Sequence, residues 1–90
     1  MEVKHAGELL KEKCDELAIS GYSLAKDIGV SNSTITRLFN LETKMTCELA
    51  LKLEGCQKLK LKANTWMKYQ INYDIQCLRD MQVKNTNKNN

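Results

Sequence analysis

The sequence predicts an all-α protein of five helices organised around a helix-turn-helix. Three observations carry this. The 90 residues include no proline and only four glycines, and 28 % are charged. The apolar residues recur at helical rather than strand spacing. Finally, the stretch 20–40, SGYSLAKDIGVSNSTITRLFN, sets two short helical patterns on either side of the corner Gly29-Val30-Ser31.

Each part of that corner has a physical reason. Leu24, Ala25 and Ile28 recur at helical spacing before it, and Ile35 and Leu38 do so after it. Gly29 takes a left-handed conformation cheaply and can end the first helix sharply. Ser31 is a favoured N-cap for the second. Ala25 is small enough for the second helix to cross close by. A plain helical hairpin would use the same glycine and serine. However, the outward positions of the second helix, Asn32, Ser33, Thr36, Arg37 and Asn40, are all polar and none is acidic. A merely solvated face would normally mix in glutamate, as the first helix does.

In chain order, the first helix is expected from His5 or Ala6 to about Ala18. Leu9, Leu10, Cys14 and Leu17 form its apolar stripe, while Lys11, Glu12, Asp15 and Glu16 face water. Glu8 suits the first turn, where the helix dipole favours negative charge, and His5 reads as a helix-start residue. Ser20 caps the second helix, which runs to Ile28. After the motif, Leu41–Met45 is a polar connection. Thr46 is the expected N-cap of a fourth helix with Glu48 in its first turn and Leu49, Ala50 and Leu53 buried, joined by Cys56. Gly55 either admits a close neighbour or ends this helix early. Gln57–Lys62, QKLKLK, alternates like a strand but is too short to form a sheet alone, so a turn is favoured.

Asn64 is expected to cap a last helix ending near Met81. It carries more apolar residues than one buried face needs. Trp66, Tyr69, Tyr73 and Cys77 lie along one side, and Met67, Ile71, Ile75 and Leu78 along a neighbouring one. One stripe docks on the motif and the other marks an interface. We therefore expect a homodimer, with Trp66, Met67, Ile71, Ile75 and Leu78 as its dimerisation residues. Residues 1–82 form the domain, and 83–90, polar and lysine- and asparagine-rich, are expected to be a disordered tail.

The chemistry implied is binding rather than catalysis. The formal net charge of +3 and pI near 8.7 permit nucleic-acid binding without demanding it. No apolar run suggests a membrane span and no signal peptide opens the chain, so a soluble, cytoplasmic protein is expected. Cys14, Cys47, Cys56 and Cys77 form no CxxC pair. They read as small helix-face hydrophobes, with neither a metal site nor a disulfide expected. No nucleophile–base pair or paired carboxylates suggest an enzyme, and no cofactor is expected.

Local motifs along residues 3–78 resemble the HigA family of antitoxins (the VapI or VapA type), within the Xre-like helix-turn-helix proteins. His5-Ala6-Gly7-Glu8-Leu9-Leu10 is close to the family's opening HPGE pattern. The motif core follows as Leu24-Ala25-Lys26-Asp27-Ile28-Gly29-Val30-Ser31 and Thr34-Ile35-Thr36-Arg37-Leu38, then Glu48-Leu49-Ala50-Leu51-Lys52-Leu53. Trp66-Met67-Lys68-Tyr69-Gln70 with Tyr73-Asp74-Ile75 is similar to the family's W-x-x-x-Q-x-x-Y-D ending. Ala6 stands where the family usually has proline, and Gly21 where related repressors often carry glutamine. The segment between Leu53 and Trp66 is slightly long and lacks the usual glycine turn and proline. The resemblance implies a lambda-repressor-like five-helix fold and a dimer that represses its own operon at a palindromic operator. It also implies a cognate toxin partner, a HigB-like mRNA-cleaving ribonuclease of RelE-like fold. A stand-alone or phage-type regulator without a toxin would share every DNA-facing feature.

For such a protein, the N-terminal end of the second motif helix would enter the major groove. Asn32, Ser33, Thr36 and Arg37 would meet base edges there. Arg37 can pair with guanine or reach a phosphate, and Asn32 can pair with adenine. Ser23, Ser31, Asn40 and Lys44 are the expected backbone contacts. Lys26 could join them or simply be solvated.

Overall fold

The computed structural model describes residues 3–89, with side-chain surroundings as far as residue 82. Five helices follow one another: α1 (Ala6–Glu16), α2 (Gly21–Ile28), α3 (Asn32–Phe39), α4 (Cys47–Glu54) and α5 (Ala63–Asn89). Among the described residues there is no strand.

The local grammar of capping fixes most of the boundaries. The side chains of Ser20, Ser31 and Thr46 accept the backbone N–H groups of Ser23, Thr34 and Leu49, opening α2, α3 and α4. His5 does the same for α1 with an imidazole, its Nδ1 accepting the Gly7 N–H at 2.9 Å. Gly29 closes α2 at φ 76°, ψ 37°, the left-handed conformation expected of it. Gly55 is the C-cap of α4 with right-handed backbone, so it ends that helix rather than admitting a neighbour within it.

Packing pairs α2 with α3 and α4 with α5, and lays α1 across both α3 and α5. Leu10, Leu24, Ile35, Leu38, Leu53 and Trp66 are fully buried where these helices meet. Burial of side chains of this size stabilises the fold by about 1.5–3 kcal/mol each. The α1–α3 crossing is unusually close. A Cβ on Gly7 would collide with the Leu38 carbonyl oxygen, so only glycine lets the start of α1 rest on the end of α3.

The structure departs from the sequence reading at several points. Leu17 is 45 % exposed and leaves the apolar stripe, because the chain turns out of α1 through Ala18 at φ 56°. The last helix starts at Ala63 rather than after Asn64. Its opening N–H, that of Ala63, is held by the Glu54 carboxylate at 2.8 Å, a cap supplied from the end of α4. Residues 57–62 form the expected turn. Leu59 is buried beneath it and Leu61 packs against the core. Helix α5 continues to Asn89, past the expected end near Met81. The side chains of residues 83–90, where a disordered tail was expected, lie outside the described residues.

Helix α5 has two parts. Ala63, Trp66 and Gln70 dock it into the core, and Tyr73 meets His5 edge-on with ring centroids 5.0 Å apart. From Ile75 to Gln82 every residue is exposed. The molecule is correspondingly elongated, at 51 × 23 × 22 Å. Trp66 is fully buried within the single chain and is therefore removed from the expected dimerisation set. It fastens α5 to its own domain.

Candidate nucleic-acid interface

Helix α3 is held by one side and offers the other. Ile35 and Leu38 anchor it with no exposed surface, and Phe39 is half-buried. Gly21 is where Phe39 sits, since a Cβ there would come within 3.0 Å of the Phe39 ring and 3.3 Å of Ile35. Gly21 thus serves the α2–α3 contact. On the opposite side, Asn32, Ser33, Thr36, Arg37 and Asn40 are all exposed. Among the described residues, no side-chain hydrogen bond or ion pair engages these five. Their donors and acceptors remain available to a ligand, a costly state for a buried surface but an inexpensive one for a surface that water can cover.

The expected backbone-contacting residues have different surroundings. Ser23 is exposed and its hydroxyl is uncommitted, while its N–H serves the Ser20 cap. The Ser31 hydroxyl accepts the Thr34 N–H at 3.2 Å and shares a hydrogen with Thr34 Oγ1 at 2.8 Å, so much of its capacity goes to opening α3. Asn40 is the C-cap of α3, and its N–H donates to Thr36 O at 3.0 Å, leaving the side chain outward. Lys44 pairs with Asp74 at 3.7 Å, yet its side chain is 71 % exposed. An exposed pair of this kind contributes little and can be exchanged for a stronger anion. Arg37, Lys44 and Lys52 line one recess of about 270 Å³ between α3 and α4, together with Thr34, Thr43 and Thr46. Lys26 is exposed on α2.

The loop after α3 is fastened by a residue whose role was not visible in the sequence. Leu41 turns the chain at φ 62°, and the Glu42 N–H closes back onto Arg37 O at 2.9 Å. Met45 is then buried, and its N–H donates to Gln70 Oε1 at 2.9 Å. Gln70 Nε2 donates in turn to Asp74 at 3.1 Å, the carboxylate that faces Lys44. Beside this network His5 is only 3 % exposed. Burial pushes its pKa below the usual 6.5, opposed by the nearby carboxylates Asp74 and Glu8 and assisted by Lys44.

The four cysteines are free. Burial pushes the Cys14 thiol up to about 11, which makes it inert at neutral pH. Among the described residues no His, Cys, Asp or Glu cluster could hold a metal, and no helix is long and apolar enough to cross a membrane.

No protein-family model and no curated protein sequence matches the chain. Solved structures do. A candidate antidote protein of a plasmid maintenance system from Nostoc punctiforme superposes with a TM-score of 0.88 at 24 % identity, covering 98 % of this chain and 94 % of that one. The Pseudomonas aeruginosa antitoxin HigA with the higBA promoter gives 0.82 at 24 % identity over 94 % and 91 %. A further P. aeruginosa protein in complex with its 28-base-pair operator DNA gives 0.83 at 24 % identity over 93 % and 91 %. At this identity the likeness establishes the fold: an all-helical helix-turn-helix domain, shared almost end to end.

Proposed function

We propose that this protein is a sequence-specific DNA-binding antitoxin that represses its own operon and neutralises a HigB-like mRNA-cleaving toxin. The observation that carries the DNA-binding half is the outward face of α3. Asn32, Ser33, Thr36 and Arg37 stand exposed, their side chains without a hydrogen-bond or ion-pair partner among the described residues, on a helix fixed from behind by Ile35 and Leu38. Such a helix fits the major groove, where its N-terminal residues read base edges. Ser23, Asn40 and Lys44 flank it as phosphate contacts, with Ser31 contributing chiefly through the cap it forms. Arg37 is placed for a guanine edge, with a phosphate as its other reachable target.

Helix α5 supports the dimer in this reading. Ile71, Ile75 and Leu78 are 50 %, 41 % and 58 % exposed at spacings of four and three, the repeat of a helix–helix seam, with Met67 half-buried at its inner end. Two copies joined there would present two recognition helices to one palindromic site. The toxin-neutralising half is supported by two structural neighbours, one named as an antitoxin and one as a candidate antidote protein. The same α3 face would serve a regulator with no toxin partner.

Titrating the protein into DNA from upstream of its own coding sequence, at stated salt, tests the first half. Saturable binding preferred over scrambled DNA is expected, and equal affinity for both would refute it. Co-purification of the product of an adjoining ribonuclease-like gene tests the second.

A further inference from the structure

Residues 57–62 alternate in direction as well as in type. Leu59 is buried and Leu61 packs against the core, while Lys58, Lys60 and Lys62 are all exposed. Two leucine anchors thus leave three lysines exposed within five residues of one short segment. Among the described residues, none of the three has a side-chain ion-pair or hydrogen-bonding partner. Glu54, the acid nearest in sequence, has its carboxylate turned onto the Ala63 N–H. The whole chain carries a formal net charge of +3. These six residues therefore hold as much positive charge as the molecule has in excess.

Two further facts place and weight these lysines. Lys58 lines a recess of about 450 Å³ with Ser20 and Ser23, so it shares a surface with the start of α2, where Ser23 offers its free hydroxyl. Lys60 lies at φ 54°, a backbone conformation that glycine adopts far more easily. A charged side chain occupies a position where local folding alone would favour having none.

We infer that Lys58, Lys60 and Lys62 form a second phosphate-binding track, which grips the backbone of the same DNA duplex outside the segment read by α3. This rests on the DNA-binding function proposed above and extends it along the helix beyond the bases. The partner is identified by charge: three unpaired ammonium groups without base-reading side chains suit a phosphate backbone, and each neutralised phosphate releases counterions. These lysines should set affinity and salt sensitivity while leaving sequence preference unchanged.

Titrations of the unaltered protein, Arg37→Ala and the triple variant Lys58→Gln/Lys60→Gln/Lys62→Gln, against native upstream DNA over a range of salt, test this. For the triple variant, the plot of log K against log salt should flatten by about 0.9 per lysine removed, with the preference over scrambled DNA retained. Lys60→Gly gives an opposed pair of readouts: its thermal midpoint should rise as backbone strain is relieved, while its salt slope falls by about 0.9. A triple variant that binds with an unchanged slope, while Arg37→Ala binds weakly, overturns the phosphate track and leaves the DNA-binding reading intact. Failure of the unaltered protein to bind any duplex overturns both.

Discussion

The side chain of Gln70 holds the backbone of Met45. Its Oε1 accepts the Met45 N–H at 2.9 Å, deep in the core and 25 positions away in sequence. This bond joins the loop that leaves α3 to the helix expected to carry the partner copy. Replacing Gln70 with leucine would bury an unanswered N–H and release Asp74. We expect a loss of about 1–3 kcal/mol in urea unfolding. DNA affinity should weaken beyond that loss if the loop, with Lys44 on it, moves away from the duplex.

Gly7 makes a rigid contact with the end of α3. Because a Cβ there would strike the Leu38 carbonyl oxygen, Gly7→Ala must push α1 off the end of α3. Overpacking against backbone leaves no flexible side chain to yield, so a cost of about 1–3 kcal/mol or more is expected. Gly29→Ala should cost less, about 1 kcal/mol: space around it is open and only its φ of 76° is strained. Chemical denaturation of the two variants side by side checks the order.

We expect His5 to make the fold sensitive to mild acid. Its Nδ1 is an acceptor in the α1 cap, so the neutral imidazole is the form that fits, and burial lowers its folded pKa below 6.5. The unfolded chain then binds the extra proton first. Its contribution to stability is fully present above 6.5 and is lost as pH falls from there through the folded pKa. Unfolding free energy measured across that window should decline, and His5→Asn, which keeps a capping acceptor but cannot titrate, should remove this part of the slope.

The exposed seam on α5 gives a prediction about assembly. Ile71→Glu with Ile75→Glu should convert the proposed dimer to a monomer in sedimentation equilibrium with little effect on the fold, since both side chains are exposed on the single chain. A monomer in the unaltered protein would remove the dimer from the proposal.

The sequence was most legible where structure is decided within one turn of chain. Ser20, Ser31, Thr46 and Gly29 act through atoms at most five residues away, and each stands where capping rules put it. The exposure of Asn32, Ser33, Thr36 and Arg37 followed from helical periodicity against the anchors Ile35 and Leu38. What was missed depends on distant partners. Asn64 looked like a cap because the true one, Glu54, comes from another helix. Trp66 resembled interface because its pocket is formed by other elements, and Leu17 extended a stripe that the left-handed Ala18 cuts short. Gln70 and Gly7 stood inside recognisable motifs, but their partners, Met45 N–H and Leu38 O, are backbone atoms that no side-chain pattern reveals.

The central claim is that the outward face of α3 reads DNA bases. Fluorescence anisotropy with native upstream DNA, comparing the unaltered protein with Asn32→Ala and Arg37→Ala, tests it most directly. Each variant should bind about 1–3 kcal/mol more weakly, roughly 5- to 150-fold, with relaxed discrimination at one base position and an unchanged thermal midpoint. If both bind as tightly and as selectively as the unaltered protein, this face does not read the sequence.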